Sequence, residues 1–474
     1  MFKQSVLYLY HNMKVYDPEI PWILENEGYD VSGTCFCIKI SGINYVLTNA
    51  HNISGPSPII CVLDDTDYEM QVLFVMREYD LALLEPNDPD FWKHAKSLSL
   101  GKSPVRGDKI RVIGFPHGEP EISITSGVIS RYSSIEYYYE YISIAIQTDA
   151  PVNSGNSGGP GVNKSGDVIG IAFKSRIGED VQNMNYLIPT FLIKHFIELY
   201  ENVKSGKINP GVTIPGIALQ TQLSQTFRES RKFPGDGVLV TDTHVNCEIN
   251  PGDYIIAIDS HKIGKSGMLP VYILYGDNSG DEDKISIGEY ISIKLPGSQI
   301  ALTVLRSSGI GSTPEQIVVK HTLPGVNYAI SRIQRIPGYL FAGPMLFLIL
   351  SDEYLELRKE GDFNYKHLKH ILYNKGYTSH TEIIILSDII TGKSIPGVSV
   401  VDTYVLFSVN GKRVSTLADV YKEVISGDGE FLEFCFRLPK IAYVTIRRSE
   451  ISNQKQLIMD AFNIDIPTYR APVY

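Results

Sequence analysis

Acyl transfer through a serine hydroxyl needs a base to take the proton, a carboxylate to orient that base, and backbone donors for the oxyanion. The sequence offers one residue for each side-chain task. His51 follows the apolar run in "NYVLTNAHNI", where a strand end would hold an imidazole rigidly. Asp80 stands in "EYDLALLE" at the entrance to a second apolar run, where it could be buried against that histidine. Ser157 lies in "PVNSGNSGGPGVNKSGDVIGIAF", which crowds glycines and a proline around it between apolar stretches. Taken singly, each has a plainer explanation. Most histidines are core or surface residues, an Asp before a strand is a common turn former, and Gly, Ser and Asn also build solvated connections. The glycine turn opens no helix, which counts against the nucleophile elbow of an α/β-hydrolase, and no Gly-Lys-Ser/Thr follows it, as a phosphate loop would require.

Three such residues need a frame that brings them together. From about Ser32 to about Pro189, short apolar or alternating runs such as "TCFCIKI", "MQVLFVM", "KIRVIGF", "YISIAIQT" and "NMNYLIP" are broken by Gly, Pro, Asn or Asp. A break every 8 to 12 residues or so is the rhythm of an antiparallel sandwich or barrel. Apolar residues at three- and four-residue spacing then predict a helix over "TFLIKHFIELYENVKSG", stopped by Gly206. Farther on, "PGDYIIAIDSHKI" and "VDTYVLFSVNGKRVSTLADVYKEVI" each put an apolar strand before a polar turn and a second short strand. The echo fits two related modules, or simply two hairpins. The most apolar segment, "YLFAGPMLFLIL", is about half the length of a membrane crossing and contains Gly343 and Pro344, so it reads as buried strand.

At 474 residues, a prior of roughly 150 residues per domain suggests about three units. With 43% hydrophobic and 20% charged residues the composition is that of a globular protein. The balance of 43 basic to 53 acidic residues gives a net charge of -10 with no basic stripe, which argues against a nucleic-acid ligand. Five cysteines lie scattered without paired C-x-x-C spacing. That pattern fits free thiols in a reducing compartment, and Cys35 and Cys37 would share one face of a strand as small core residues. The start, "MFKQSVLYLYHNMKVYDPEIPW", is interrupted by His11, Asn12 and Lys14 before a secretory core forms. The expected location is therefore cytoplasmic.

The order His, Asp, Ser within an all-β pattern is the chain order of the chymotrypsin-type double barrel. The words "TNAH", "YDLALL" and "GNSGGP" together resemble the trypsin-like peptidases. The longer words "SGTCFCI", "VIGFPHG", "ISITSGVISR", "IQTDAPVNSGNSGGPGVNKSGDVIGI" and "NYLIP" look like the HtrA/Deg branch, nearest its plant-type members. This resemblance implies Ser157 as nucleophile, His51 as general base and then acid, and Asp80 as the orienting carboxylate. It implies an oxyanion hole at Gly155, Asn156 and Ser157, built from the backbone N–H groups of Gly155 and Ser157. It places the substrate's first side chain near Val152 and the Ile171, Ala172, Phe173 strand, an apolar wall suited to small or medium aliphatic groups. Two departures from digestive trypsins matter. Asn156 stands where those enzymes have an Asp that receives a new N-terminus, and Asn52 stands where secreted trypsins have a cysteine.

The second half resembles two PDZ-type modules. In "IPGIALQ", the N–H groups of Gly216 and Ile217 would hold a peptide C-terminus while Ala218 and Leu219 pair with its backbone. The implied fold class is mainly β: a trypsin-like double β-barrel protease domain followed by two PDZ-like α+β domains. The implied divisions are an N-terminal segment at 1–30, the protease domain at 31–205, and PDZ-like domains at 206–325 and 326–474. Tyr8, Tyr10, Tyr16 and Trp22 in the first segment would staple an oligomer or pack on their own barrel. The implied partners are unfolded or exposed protein segments and peptide C-termini, with no cofactor, metal, nucleic acid or membrane span. The implied assembly is a homotrimer or a higher multiple such as a hexamer.

Overall fold

The computed structural model describes residues 2–13, 16–24, 28–53, 57–116, 121–137, 142–178, 181–245, 247–275, 283–326, 337–357, 363–373, 382–389, 403–426, 429–438, 440–451, 454–462 and 467–471. The alternating runs at the start become strands β1 (Val6–Met13), β2 (Tyr29–Ile40), β3 (Ile43–Thr48), β4 (Ile59–Leu63), β5 (Thr66–Met76) and β6 (Leu81–Pro86). They close a first barrel in the order β1-β4-β5-β6-β3-β2, with β1 pairing back onto β2. One turn of helix, α1 (Phe91–His94), leads to β7 (Leu98–Ser99), which runs parallel to the end of β2. A second closed barrel, β10-β13-β12-β11-β8-β9, is formed by β8 (Lys109–Gly114), β9 (Ser123–Glu136), β10 (Ile142–Thr148), β11 (Pro160–Val162), β12 (Val168–Gly178) and β13 (Val181–Pro189). Closing each sheet removes its edges.

β2 departs from simple alternation. Residues 33–38 are all buried, because one face lines the first barrel and the other faces the serine loop and the start of the second barrel. The predicted helix is present as α2 (Thr190–Lys204), with Leu192, Ile193, Phe196 and Leu199 fully buried, and it gives way at Gly206, which adopts φ 70°.

Both barrels share one unit, Met1–His11, Asp30–Ile53 and Pro58–Val326, with the module that follows α2. That module contains β14 (Val212–Thr213), β15 (Ile217–Gln220), α3 (Gln225–Ser230), β16 (Val238–Thr243), β17 (Tyr254–Ile258), β18 (His261–Lys262), β19 (Met268–Pro270), β20 (Lys284–Ser286), α4 (Ile287–Ser292), β21 (Gln299–Arg306), β22 (Glu315–Thr322) and β23 (Gly325–Val326). Its main sheet runs β15-β16-β17-β21-β22, so β15 is an edge. A capping box between Ser286 and Glu289 starts α4. The module is fastened to the barrels. Asp283 accepts from Arg106 and, at 2.6 Å, from the Tyr132 N–H, while Tyr132 stacks on Tyr275 at 5.8 Å.

The second unit is Asn12–Tyr29, Ser54–Ser57 and Asn327–Tyr474. Its sheet is ordered β30-β29-β27-β26-β25-β24-β31, from β24 (Tyr339–Ala342), β25 (Met345–Ile349), β26 (Ile384–Ile389), β27 (Tyr404–Val409), β29 (Phe431–Leu438), β30 (Ala442–Arg447) and β31 (Tyr469–Arg470), with β28 (Lys412–Arg413) pairing β27. Helix α7 (Leu417–Ser426) covers this sheet through Leu417, Val420 and Val424, and α5 (Asp352–Glu356), α6 (Phe363–Tyr373) and α8 (Gln454–Phe462) complete the unit. The segment "YLFAGPMLFLIL" is a hairpin, β24 and β25, and not a single strand. Gly343 at φ 59° makes the turn, ahead of Pro344. Val401 and Asp402, which open the second echoing stretch, lie outside the described residues. The N-terminal segment is divided between units. β1 is a barrel strand, whereas Trp22 packs against Tyr339 at 5.4 Å and Phe341 at 5.3 Å.

Candidate active site

His51 sits on a short 3-10 turn, Ala50–Ile53, where β3 ends. Asp80 closes another, Arg77–Tyr79, and enters β6 with φ 51° and ψ 42°, a left-handed geometry that Asp tolerates better than most residues. The Asn49 side chain fixes that corner by donating to the Asp80 carbonyl at 2.9 Å. His51 Nδ1 lies 2.8 Å from Asp80 Oδ2 and 3.0 Å from Oδ1, and the His51 backbone N–H donates to Oδ1 at 3.1 Å. An ionised carboxylate only accepts, so the ring proton belongs on Nδ1 and the lone pair on Nε2. The imidazole is 27% exposed and the Asp80 side chain 0%, which leaves the base reachable and its partner dry. Burial works to lower the His51 pKa, but the Asp80 charge and hydrogen bond outweigh it, and the net shift is upward.

Ser157 reaches this pair through its backbone. Its carbonyl accepts from Asn52 Nδ2 at 2.9 Å and from the Thr34 N–H at 3.0 Å. Because Asn52 directly follows His51, the residue bearing the hydroxyl is pinned beside the imidazole's own turn. The glycines answer to the same crowding. A Cβ on Gly158, where φ is +85°, would stand 2.1 Å from the Thr34 carbonyl and 2.4 Å from Thr48 Oγ1. One on Gly159 would stand 2.2 Å from the Ile113 carbonyl, so the loop is wedged between the two barrels.

The hydrogen bond from Asn156 N–H to the Asn153 carbonyl, 3.0 Å, closes a turn whose third residue is Gly155 at φ 93°. A positive φ at that position defines a type II turn and requires glycine in practice. Among the described residues, the N–H groups of Gly155 and Ser157 donate to no other protein group. Asn156 itself is buried.

Thr34 was not among the residues singled out from the sequence. Fully buried on β2, its hydroxyl donates to the Gly155 carbonyl at 2.7 Å and accepts from the Phe115 N–H at 3.0 Å, and its carbonyl accepts from Thr48 Oγ1 at 2.8 Å. A lone hydroxyl inside the apolar run "TCFCIKI" was the available signal, since buried polar groups are almost always partnered.

The residues expected to form the specificity wall are all buried: Val152 at 5% exposure, Ile171 and Ala172 at 0%, and Phe173 at 5%. Ala172 pairs with the serine loop, accepting from the Gly158 N–H at 2.8 Å and donating to the Gly159 carbonyl at 2.9 Å. Phe173 stacks on Tyr137 at 4.6 Å. In the module after α2, Gly216 adopts φ 67°, Ile217 begins the edge strand β15, and Ala218 and Leu219 are half-buried along it.

Residues 33–171 match the trypsin-like peptidase domain family and residues 330–469 the PDZ domain family. The chain is 28% identical over 464 residues to protease Do-like 2, chloroplastic, of Arabidopsis thaliana, covering 96% of this chain and 73% of the relative. It is 29% identical to putative protease Do-like 3, mitochondrial, of the same plant, over 85% of this chain and 69% of the relative. It is 24% identical to a probable periplasmic serine endoprotease DegP-like of Chlamydia muridarum (strain MoPn / Nigg), over 84% and 71%. These relatives overturn the cytoplasmic expectation, since their names point to organelles or the periplasm. Unpaired thiols separate reducing from oxidising surroundings, and they do not single out one reducing compartment. Among the described residues, no helix is long and apolar enough to cross a membrane. The chain carries a trypsin-like peptidase domain and a PDZ domain, and it is a serine endopeptidase related to the Do-like proteases of the HtrA/Deg type.

Proposed function

We propose that Ser157, His51 and Asp80 act as a catalytic triad in an ATP-independent endopeptidase that cleaves unfolded or exposed protein segments in protein quality control. The observation that carries the reading is the tie from Asn52, next to His51, to the Ser157 carbonyl at 2.9 Å, with His51 held on the buried Asp80. His51 Nε2 takes the Ser157 proton as the hydroxyl attacks the scissile carbonyl, then returns it to the leaving amine, and water repeats the sequence on the acyl-enzyme. The N–H groups of Gly155 and Ser157 stabilise the oxyanion, with Asn156 shaping the turn between them. Val152 and the Ile171 to Phe173 strand favour a small or medium aliphatic side chain ahead of the cleaved bond.

Gly216 and Ile217 hold the C-terminal carboxylate of a client peptide, and β15 offers its free edge, with Ala218 and Leu219, for strand addition. The working assembly is a homotrimer or a multiple of it, by resemblance to the family. The test compares casein cleavage by the wild type and Ser157→Ala with light scattering on both. The variant keeps its size and loses turnover on the order of 10⁶-fold. Equal cleavage by both proteins overturns the assignment of Ser157.

A further inference from the structure

Cys35 and Cys37 occupy one face of β2, and Cys61 lies on β4, with β1 hydrogen-bonded between those two strands. All three cysteines have 0% exposure. Cys35 Sγ and Cys61 Sγ stand 3.1 Å apart, about 1 Å beyond the length of a disulfide bond. Cys247 follows β16 in the module after α2, and Cys435 lies on β29 of the second unit. Among the described residues, no group of three or more His, Cys, Asp or Glu is arranged to hold a metal ion, so the contact is one between thiols.

We propose that Cys35 and Cys61 form an oxidisable pair that closes to a disulfide when a peroxide supplies the oxidant. One thiol, as its thiolate, attacks the peroxide O–O bond, becoming a sulfenic acid and releasing water. The second sulfur then displaces the sulfenic hydroxyl as a second water, and the S–S bond forms. Two thiols lose two hydrogens, and one hydrogen peroxide becomes two waters. Burial, reinforced by the hydrogen bond with Cys61, pushes the Cys35 thiol up, so oxidation of the folded chain is slow and proceeds through brief local openings of the barrel.

The position of the pair gives the bond a consequence. The cross-link spans 26 positions, and His51 and Asn52 lie inside that loop. Thr34, which holds the Gly155 and Ser157 carbonyls, immediately precedes Cys35. Drawing Cys35 toward Cys61 pulls on the strand that sets the serine loop, and catalytic geometry tolerates only about 0.5 Å of displacement. This coupling rests on the protease reading above, whereas the cross-link does not.

The experiment treats the folded full chain with hydrogen peroxide, blocks remaining thiols with N-ethylmaleimide in denaturant, and maps the peptides by mass. The expected product is a peptide joining positions 35 and 61, two hydrogens lighter than its reduced parts. It is absent from Cys61→Ser and Cys35→Ser. Casein turnover should fall about tenfold on oxidation, return with dithiothreitol, and stay constant in Cys61→Ser. Full blocking of both thiols after oxidation, or a cross-link that forms only in urea-unfolded chain, overturns the pair. A cross-link with unchanged turnover overturns the coupling and leaves a staple of the barrel. Reduced wild type that cleaves nothing overturns the protease reading instead, and the mass map still decides the pair without needing any variant to fold.

Discussion

Replacing Thr34 by valine keeps the shape of the side chain and removes its hydroxyl. Two groups then lose their partner at a residue with no exposed surface: the Gly155 carbonyl, at 2.7 Å, and the Phe115 N–H, at 3.0 Å. A buried polar group left unsatisfied costs about 1–3 kcal/mol, so the pair together costs about 2–6 kcal/mol if nothing moves. The serine loop is the part able to move. Gly155 recovers solvation by rotating the peptide plane it shares with Asn156. That rotation breaks the 3.0 Å bond from Asn156 to Asn153, which sets the turn and with it the direction of the Gly155 N–H. The Gly155 N–H is one of the two donors of the proposed oxyanion hole, and loss of one such donor typically costs about 10²–10³-fold in turnover, so Thr34→Val should lose about 10²-fold in kcat with KM within about threefold. Thr34→Ser, which restores the hydroxyl, should recover most of the rate. The assay uses initial rates on a fluorogenic peptide with an aliphatic residue before the scissile bond, together with labelling by a fluorophosphonate and a thermal melt. A Thr34→Val protein that turns over within threefold of wild type at an unchanged melting temperature would refute the reasoning, since the loop would not depend on that hydroxyl.

Two further perturbations follow from charge. In the proposed triad His51 must be neutral to act as base, and its pKa is raised, so kcat/KM should climb with pH along a limb centred above the ordinary 6.5. Asp80→Asn should move that limb down and cut kcat by roughly 10⁴-fold, and a wild-type limb below 6.5 would remove Asp80 from its orienting part. Stability runs the other way: the protonated pair strengthens the fold at low pH, and the gain is lost as pH rises through the raised value. Glu78 is buried next to Tyr79, and neither of its oxygens is hydrogen-bonded to another residue among the described residues. Burial pushes its pKa up to about 7, against the pull of its own backbone N–H and, less, of Arg77, so the neutral carboxyl is tolerated below the ordinary 4.5 and stability is lost as pH rises through about 7. Glu78→Gln should therefore raise stability at pH 8 by about 2–3 kcal/mol and change little at pH 5, whereas equal shifts in melts at both pH values would sink the argument.

What the sequence made legible was local. Strand periodicity, glycine turns and the helix over 190–204 depend on neighbours along the chain, and these appear as strands, turns and α2. The words around His51 and Asp80 place both residues at strand ends, where the structure has them hydrogen-bonded. Cooperation across the chain was less legible. Thr34 matters through bonds to Phe115, Gly155 and Ser157, all far along the sequence, and its own word is an unremarkable strand. The hairpin at Gly343 hid inside one apolar run, because both of its strands are buried on both faces and leave no polar punctuation except the turn itself. The Tyr79 hydroxyl donates to the Ser292 carbonyl at 2.9 Å, which leaves His195 Nε2, 3.3 Å away, to donate to the same oxygen. Burial lowers the His195 pKa to about 4 and keeps that ring neutral. No periodicity could have paired Tyr79 with a residue so far along the chain.

The shared ownership of the N-terminal segment has a consequence for how the protein is made. Trp22 packs on Tyr339 and Phe341, more than 300 positions later in the chain. At about 5–20 residues per second, the stretch of chain from Trp22 to Tyr339 takes roughly 15–60 s to synthesise. β1, by contrast, can enter its barrel as soon as β4 emerges. A nascent chain thus carries a finished barrel strand followed by a segment whose tryptophan still awaits two of its ring partners, and during that interval Trp22 is open to any chaperone that waits at the tunnel exit.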